Sequence, residues 1–555
     1  MNKRAVLVFV AAFSLATLAW AAYSDRSPVG AQAPATYEAL TALYTEMRES
    51  QRVTPEAGVP DYSPAAVAAR RQNLDEFGRR LDAFDSSKWS RSQRVDHALV
   101  LAQWRLHDFE HRVMKPWARD AGLYVDMVGR VPFAALPLKG DALAQFRTQL
   151  AAVPRILEQA RANLTEGAGE QARLALYNLE NADGVGHGHP YRPVPPPGVI
   201  GWYDDLATEM AKHHPELVDE VKTVRQSVAG FRDWLKANAG RMNAPAGIGL
   251  DNYDYLQRYI RLMPFTGEDN IRLGERELER SRAFLALERW KNRGLPELTL
   301  PTSAQEYQKR IDDADQLVRR FIVEKNILTI PDYIRELDTN VPWIVRPGGL
   351  NFWEAIQFRD PLPDHVHAVI PGHRFDGAVK RQDKRPIRGT YSDGGRSEGW
   401  AFYLEEMFLQ AGLLEDRPRT KELFYLFQIK RATRNKAEVL MHANEFSVAD
   451  AVTSMMDNVE YLDEDVARVD AEIYLRRPAY GSGYQMGKLQ MDQLLSDRYQ
   501  QLDKKFDLKQ FHDEFLAAGT IPISLIRYEM TGLDNEIGDF FTRVPAPGAA
   551  KSTRR

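Results

Sequence analysis

Apolar residues recur at intervals of three and four positions along most of this chain, which is the spacing of amphipathic α-helices. The segments TYEALTALYTEMRESQRV (36–53), AAVAARRQNLDEFGRRLDAF (65–84) and DHALVLAQWRLHDFEHRVM (96–114) show it. Alternation of apolar and polar residues, which is typical of half-buried strands, is scarce. The sequence therefore predicts an all-α fold, a large single multi-helix body with few or no strands.

One glycine- and proline-rich stretch interrupts the helical spacing. Residues 181–205, NADGVGHGHPYRPVPPPGVIGWYDD, predict a long loop because they contain too many helix-breaking residues. We predict one helical domain over about 35–545, with an N-terminal helical part over about 35–330 and a part containing the candidate site over about 331–545. Residues 546–555 are predicted to be a disordered tail.

The first residues have the pattern of a signal peptide. Basic MNKR is followed by the apolar run AVLVFVAAFSLATLAWAA and then by polar YSDRSPVG. Small residues around Ala21 predict cleavage after that position, so that 1–21 would be removed. The alternative is an uncleaved membrane anchor, since an apolar run of about 18 residues is at the lower limit of spanning length. We expect an exported protein, periplasmic or secreted, with no other membrane contact.

Composition restricts the chemistry that the chain can support. Its 73 Lys and Arg balance 77 Asp and Glu and are interspersed with them, so no basic stripe for nucleic acid is present and no nucleic-acid partner is expected. The chain has no cysteine, which excludes disulfides and thiolate ligands. A metal site must therefore use histidines and carboxylates. The oligomeric state is not predicted.

The segment DHVHAVIPGHRFDG, residues 364–377, concentrates three histidines around a Pro-Gly pair. His367 and His373 are six positions apart, which on a regular helix leaves them about 120° out of register. Pro371 forces the helix to open or bulge between them, and this brings His373 towards the position of a ligand four residues from His367. The segment predicts two metal ligands.

A third ligand is expected from GGRSEGWAFYLEEM, residues 394–407. Glu398 lies at the start of this predicted helix. Glu405 follows seven positions later on the same face, where it would orient a histidine ligand from behind. The alternative for the three histidines is packing and hydrogen bonding in a loop without metal. His365 is a candidate fourth ligand, which would close the site.

Two stretches carry a family resemblance. HAVIPGH (367–373) and EGWAFYLEE (398–406) resemble the His-Glu-x-x-Pro-Gly-His and Glu-Gly-Trp-Ala motifs of the bacterial family called domain of unknown function 885. The likeness extends over most of the chain, from about residue 40 to 540. Members of that family are largely helical and zinc-metallopeptidase-like. The resemblance implies a helical body with a metallopeptidase-like cleft.

The resemblance also implies roles for individual residues. It makes His367, His373 and Glu398 the ligands of one zinc ion and Tyr484 a hydrogen-bond donor to a developing oxyanion, with a peptide or small amide as substrate. The chain departs from the motif at Ala368, where the family has the glutamate that accepts a proton from water.

Two further positions of the motif differ. Arg374 and Asp376 replace the family's second histidine and its glutamine. His365, Asp364 or Asp376 would have to supply the missing base, or Asp376 would act from behind the ligands.

These features predict an exported metal-dependent hydrolase, a peptidase or amidase. The first alternative is a periplasmic binding or scaffold protein that keeps the fold without turnover, which Ala368 favours. The second is a serine hydrolase with Ser397 of GRSEG as nucleophile and His442 or His512 as base, although no βα units surround that motif. Two further histidine pairs, at positions 107 and 111 and at positions 187 and 189, lack an evident third ligand.

Overall fold

Helices dominate the chain, and the sequence-based prediction of an all-α fold is confirmed. The computed structural model describes residues 35–129, 136–185, 193–338, 341–544 and 546–548. The predicted signal peptide, the histidines at positions 187 and 189 and the predicted tail beyond residue 548 lie outside these residues.

Several helices of the N-terminal part begin at polar caps. Ser90 caps α3 in a reciprocal box with Gln93, and Thr266 caps α11 in the same way with Asp269. In chain order these helices are α1 Tyr37–Gln51, α2 Pro64–Leu81, α3 Arg91–Phe109, α4 Pro116–Arg119, α5 Ala121–Gly129, α6 Gly140–Asn163, α7 Gly169–Glu180, α8 Gly198–His213, α9 Val218–Asn238, α10 Leu250–Tyr255, α11 Gly267–Asn292 and α12 Ala304–Glu324.

The remaining helices contain the residues of the candidate site. Asn351 and Ser447 form capping boxes at the starts of α13 and α18. In chain order these helices are α13 Phe352–Gln357, α14 Leu362–Ala368, α15 His373–Lys380, α16 Gly394–Ala411, α17 Pro418–His442, α18 Val448–Met456, α19 Glu464–Arg476, α20 Gly481–Leu502, α21 Leu508–Ala518 and α22 Ile523–Thr531.

Within the described residues, strand structure is limited to one small hairpin. Strand β1 (Pro55–Glu56) pairs antiparallel with β2 (Val59–Pro60) through a turn in which Ala57 and Gly58 have positive φ. Short helical turns of other types continue or connect the α-helices at Glu110–Met114, Pro215–Leu217, Ala239–Arg241, Leu256–Ile260 and Asp503–Lys505. No helix in the described residues is both long and apolar enough to span a membrane.

The largest apolar core combines the two ends of the chain. Leu40 and Trp104 from the N-terminal helices share it with Phe321, Trp400 and Phe515. Residues from both sides of the predicted boundary near position 330 are therefore packed together. A second core joins α5 to α9, and a third lies mainly between α17, α18 and α19.

The predicted loop over 181–205 is shorter than expected. Helix α8 begins at Gly198, inside that range. Gly198 has a φ of 66°, and its added Cβ would lie 2.5 Å from the carbonyl carbon of Leu179, so only glycine allows this start. Trp202 and Tyr203 then bury their rings in the second core, which outweighs the helix-breaking composition upstream.

Two glycine pairs allow α16 and α20 to approach very closely. A Cβ added to Gly399 would lie 2.5 Å from the carbonyl carbon of Gly487, and one added to Gly487 would lie 2.4 Å from the carbonyl oxygen of Gly395. A side chain at either position would push the two backbones apart. This contact holds the start of α20 against the start of α16.

Candidate metal centre

The Pro-Gly segment turns the chain so that two histidines face each other. Helix α14 ends at Ala368, and α15 begins at His373, so the helix breaks at the proline. Gly372 is packed against the end of α14, where an added Cβ would lie 1.7 Å from the carbonyl oxygen of His367. Trp400 of α16 donates a hydrogen bond from Nε1 to the Pro371 carbonyl at 3.0 Å and fixes this turn.

Helix α16 supplies the carboxylate of the site. Asp393 caps the helix by accepting the N–H of Arg396 at 2.7 Å. Glu398 then lies in the second turn, on the side that faces both α14 and α15. The close glycine contact with α20 described above brings the tyrosines of that helix next to this carboxylate.

Three side-chain atoms form a compact triangle at this place. The Nε2 atoms of His367 and His373 are 3.2 Å apart, and Oε2 of Glu398 lies 3.1 Å from Nε2 of His373 and 3.6 Å from Nε2 of His367. Ligands bound tetrahedrally to zinc at 2.0–2.1 Å are separated by about 3.3 Å. The donor set and its spacing therefore fit zinc. Among the described residues this is the one group of three or more such side chains that could hold a metal.

The triangle is open on one side. The side chains of His367 and Glu398 are 8% and 7% exposed, whereas that of His373 is 29% exposed. Two ligands are therefore fixed in the protein interior and the third borders solvent. An ion held by these three residues would keep a free coordination position, which is typical of catalytic rather than structural zinc sites.

Glu405 stands behind His367. Its Oε1 lies 2.7 Å from Nδ1 of His367, although the two groups are not aligned for a hydrogen bond. Arg431 of α17 contacts the same carboxylate at 2.8 Å, and Gln428 donates to it at 3.3 Å. A negative charge beside Nδ1 favours the proton on that nitrogen and leaves Nε2 free to bind a metal.

The outer nitrogen of His373 also has a partner. Its Nδ1 lies 3.2 Å from Oγ of Ser397, one residue before Glu398. Burial favours the neutral form, but the Glu398 carboxylate raises the pKa of His373. In turn, burial opposes the charge on Glu398, while His373 and His367 together hold its pKa well below the usual range.

Two tyrosines at the start of α20 complete the site, Tyr480 as its N-cap residue and Tyr484 in its first turn. Tyr480 donates its hydroxyl to Oε1 of Glu398 at 2.6 Å, and burial raises its pKa. The ring of Tyr484 lies nearly parallel to that of His367 with centroids 6.3 Å apart. Arg434 of α17 covers the Tyr484 ring at 4.3 Å. Glu438 accepts the backbone N–H of Gly481 at 3.0 Å and so fixes the start of this helix.

Two other predicted residues point elsewhere. Nε2 of His365 contacts Oδ1 of Asp315 on α12 at 3.1 Å, so His365 is not part of the triangle. Asp376 accepts a hydrogen bond from Nη1 of Arg396 at 2.5 Å. Asp364 is buried, and the charges of Asp376 and Asp364 both contribute to the raised pKa of His373. His365 and Asp376 are thus engaged by other side chains.

The histidines proposed for other sites are separate from this centre. Ser397 lies within α16, and no sheet surrounds it in the described residues. His442 bonds to the carbonyl of Tyr474, and His512 contacts the Tyr403 hydroxyl, so neither is a base for Ser397. His107 contacts Gln103 and Glu110 on its own or the adjoining helical turn.

Sequence reasoning missed the contacts that hold the ligands in place. Neither Tyr480 nor Arg431 is indicated by the motif spacing. Glycines at i and i+4 in both GGRSEG and GSGYQMG were the available signal, since small residues at that spacing allow close helix crossing. They indicate that α20, with Tyr480, is held against Glu398.

Comparisons with known proteins place the chain in a family. The model of a family of bacterial proteins of unknown function, DUF885, matches residues 44–332 and 365–530. No curated protein is significantly similar to the chain. The second matched span contains all three residues of the triangle.

Two solved structures have the same fold. One is a protein of unknown function from Shewanella oneidensis, described provisionally as a lipoprotein, with 16% identity, a TM-score of 0.67 and coverage of 89% of this chain and 99% of that chain. The other is a provisional lipoprotein from Colwellia psychrerythraea, with 14% identity, a TM-score of 0.66 and coverage of 89% and 98%. These identities show the fold alone. On the family match, this chain belongs to DUF885, a family of bacterial proteins of unknown function.

Proposed function

We propose that this protein is an exported, metal-dependent hydrolase that cleaves a peptide or a related amide with one zinc ion. The observation that carries the proposal is the triangle of His367, His373 and Glu398, whose ligand atoms lie 3.1 to 3.6 Å apart. Two imidazoles and one carboxylate with an open side are the ligand set of many zinc hydrolases.

When bound, zinc would polarise a carbonyl group and make water acidic enough to act as a nucleophile near neutral pH. The protein's own residues prepare the site for it. Glu405 and Ser397 set the ring orientations of His367 and His373, and Tyr480 holds Glu398. Tyr484, beside His367, is the group that we assign to hydrogen bonding with the oxyanion.

The proton acceptor of the family motif is missing from this chain. Ala368 has no acidic group, and Asp376 and His365 are engaged by Arg396 and Asp315. A positioned base contributes about 10²- to 10⁴-fold to such a rate. A slow hydrolase is therefore the expected outcome for the natural sequence.

Export is supported by two observations. The first residues have the basic, apolar and small-residue regions of a signal peptide. Both structural relatives are described provisionally as lipoproteins, and lipoproteins are exported proteins. Since this chain has no cysteine, a lipid attached through cysteine is excluded for it.

Metal content per chain tests the site. We expect about one zinc per wild-type chain by mass spectrometry, and a loss of that zinc in His373→Ala, because two remaining ligands bind weakly. His107→Ala is the matched control, since His107 lies outside the triangle. Wild-type chains that take up no zinc when it is supplied, or His373→Ala chains that keep it, would contradict the proposal.

Ala368 favours a second candidate, a periplasmic binding or scaffold protein that keeps the metal without turnover. Ala368→Glu separates the two functions when it is assayed with wild type on a panel of peptides. If the wild type turns over a peptide and needs zinc to do so, the proposal of a binding protein without turnover is contradicted. We expect Ala368→Glu to increase that rate, by up to about 10²- to 10⁴-fold. Turnover that appears only in Ala368→Glu would instead support the binding function.

A further inference from the structure

A second cavity, unrelated to the metal centre, is surrounded by arginines. It has a volume of about 380 Å³ and lies between the end of α11, the segment that follows α13 and the start of α17. Four arginines line it, Arg289, Arg293, Arg359 and Arg419, together with Glu297 and Glu422. Four like charges around one small volume repel one another unless negative charge is supplied.

Carboxylates of the protein neutralise two of these arginines. Arg289 forms two contacts with Glu460, at 2.6 and 2.8 Å. Arg419 contacts Glu422 at 3.0 Å and Glu297 at 2.9 Å. These pairs are complete in themselves and explain why the two side chains are held in place.

The other two arginines have no such partner. In the described part of the chain, no carboxylate oxygen lies within 4.0 Å of a guanidinium nitrogen of Arg293 or Arg359. Their hydrogen bonds go to backbone carbonyls, from Arg293 to Trp290 and from Arg359 to Ala355. Both guanidinium groups lie over aromatic rings, that of Trp290 at 4.4 Å and that of Tyr461 at 5.0 Å. Each keeps several N–H donors for a ligand.

Two further features favour an anion at the same place. Nε of Arg419 is buried and has no acceptor in the described residues. Helix α17 begins beside the cavity, and its first residue, Pro418, follows Arg417, which provides no side-chain cap. The positive end of the helix dipole is therefore directed towards the same region. The floor, by contrast, is apolar and is formed by Leu423 and Leu426.

We propose that this cavity binds a small organic anion. Its carboxylate or phosphate group would accept hydrogen bonds from Arg293 and Arg359, and its apolar part would lie on Leu423 and Leu426. Planar guanidinium groups bind both oxyanions in a bidentate manner, so either head group fits. The site is distinct from the triangle, since Leu426 lies about 8 Å along α17 from Arg431, which contacts Glu405.

Calorimetric titration with simple probes tests the site. Phenyl phosphate and benzoate carry the two head groups on the same apolar ring, and benzyl alcohol is the neutral probe. At constant ionic strength we expect saturable binding of at least one anion and none of the alcohol. The anion that binds with the higher affinity shows whether the cavity prefers phosphate or carboxylate.

Variants assign the binding to this cavity. Arg293→Gln and Arg359→Gln should each weaken the anion by at least about tenfold, because each removes a charged hydrogen-bond donor. Arg282→Gln, on the same helix α11, is the matched control because Arg282 contacts Asn458 outside the cavity. Its affinity should equal that of the wild type.

Three results would overturn the proposal. The first is that neither anion binds saturably, and the second is that benzyl alcohol binds as tightly as the anions. The third is that the double variant Arg293→Gln/Arg359→Gln binds the anion as tightly as the wild type. The first two are measured on the wild type and do not depend on how the variants fold. Zinc content is recorded in parallel, so that a failure of the anion site is distinguished from a failure of the metal centre.

Discussion

The hydroxyl group of Tyr480 determines which oxygen of Glu398 is available to a metal ion. It donates to Oε1 of Glu398 at 2.6 Å, while Oε2 faces the two histidines. Because Oε1 is already occupied as an acceptor, Oε2 is the oxygen left for a metal. Tyr480 therefore positions the Glu398 carboxylate, whereas the ring of Tyr484 stacks beside His367.

Removing each hydroxyl group in turn tests the roles proposed for Tyr480 and Tyr484. We expect Tyr480→Phe to lower zinc affinity by about 10- to 100-fold, the usual cost of losing a residue that orients a ligand. Tyr484→Phe is the matched change on the same helix; it should keep zinc affinity and lower the rate of hydrolysis. Competition with a chelator of known affinity measures the first effect. Equal zinc affinities in the two variants would show that Tyr480 does not orient Glu398.

At the residue scale, the motif residues could be predicted from the sequence, but the residues that hold them in place could not. The spacing of His367 and His373 around the Pro-Gly pair and the motif at Glu398 point to these three residues, and the structure brings their ligand atoms within 4.8 Å of one another. Tyr480 lies 82 positions from Glu398. Such a contact depends on how two helices cross, which residue spacing along one helix does not specify.

At the scale of elements, the crossing of α16 and α20 positions the site. Gly399 and Gly487 meet backbone to backbone, with room for hydrogen atoms only. Glu398 is next to Gly399 in α16, and Tyr480 immediately precedes α20. Any separation of the two helices therefore also changes the hydrogen bond between these two side chains. The small residues thus serve the site without touching a ligand.

Gly399→Ala tests this crossing. Its Cβ would lie 2.5 Å from the Gly487 carbonyl carbon, and we expect a loss of about 1–3 kcal/mol in the free energy of unfolding, the usual cost of overpacking. Gly230→Ala is the matched control in the interior of α9, where the new Cβ would lie 3.8 Å from Nη2 of Arg161. It should be stabilised by about 0.5–1 kcal/mol. Denaturant midpoints of both variants provide the comparison, and a Gly399→Ala protein as stable as the control would refute the close crossing.

The boundaries of elements were predicted less well than their type. The proline predicted an opened or bulged helix, and the structure shows two separate helices, α14 and α15. Gly372 is the reason, since it allows the chain to pass against the His367 carbonyl. Likewise α8 begins within the predicted loop because Trp202 gains burial in the second core. Tertiary contacts decided both boundaries, and periodicity contains no information about them.

At the scale of the whole molecule, helical periodicity was sufficient to predict the fold class. It did not predict that Leu40 and Phe515, from opposite ends of the chain, would share one core. Nor did it predict that charged and polar side chains would be enclosed between the helices. His442 and His512 are two of these, and both are completely buried.

Each of these two histidines is held in its neutral form. His512 donates from Nδ1 to the Ile327 carbonyl at 2.8 Å and accepts the Tyr403 hydroxyl at Nε2, at 3.0 Å. His442 donates from Nε2 to the Tyr474 carbonyl at 3.1 Å. Burial lowers the pKa of both histidines to about 4, from an ordinary value near 6.5.

This predicts a loss of stability in mild acid. The folded pKa lies below the unfolded one, so the unfolded chain binds more protons between about pH 6.5 and 4, and the free energy of unfolding falls as the pH falls through that range. Each histidine contributes up to about 1.4 kcal/mol per pH unit, or on the order of 3 kcal/mol over the range.

We expect His442→Asn to reduce the pH dependence of the free energy of unfolding by the contribution of one proton. Its difference from wild type in denaturant unfolding should be constant above pH 7.5 and shift in favour of the variant as the pH falls towards 4.5, because the variant has no imidazole to protonate. A difference that stays constant down to pH 4.5 would mean that His442 is protonated as easily in the folded protein as in the unfolded chain.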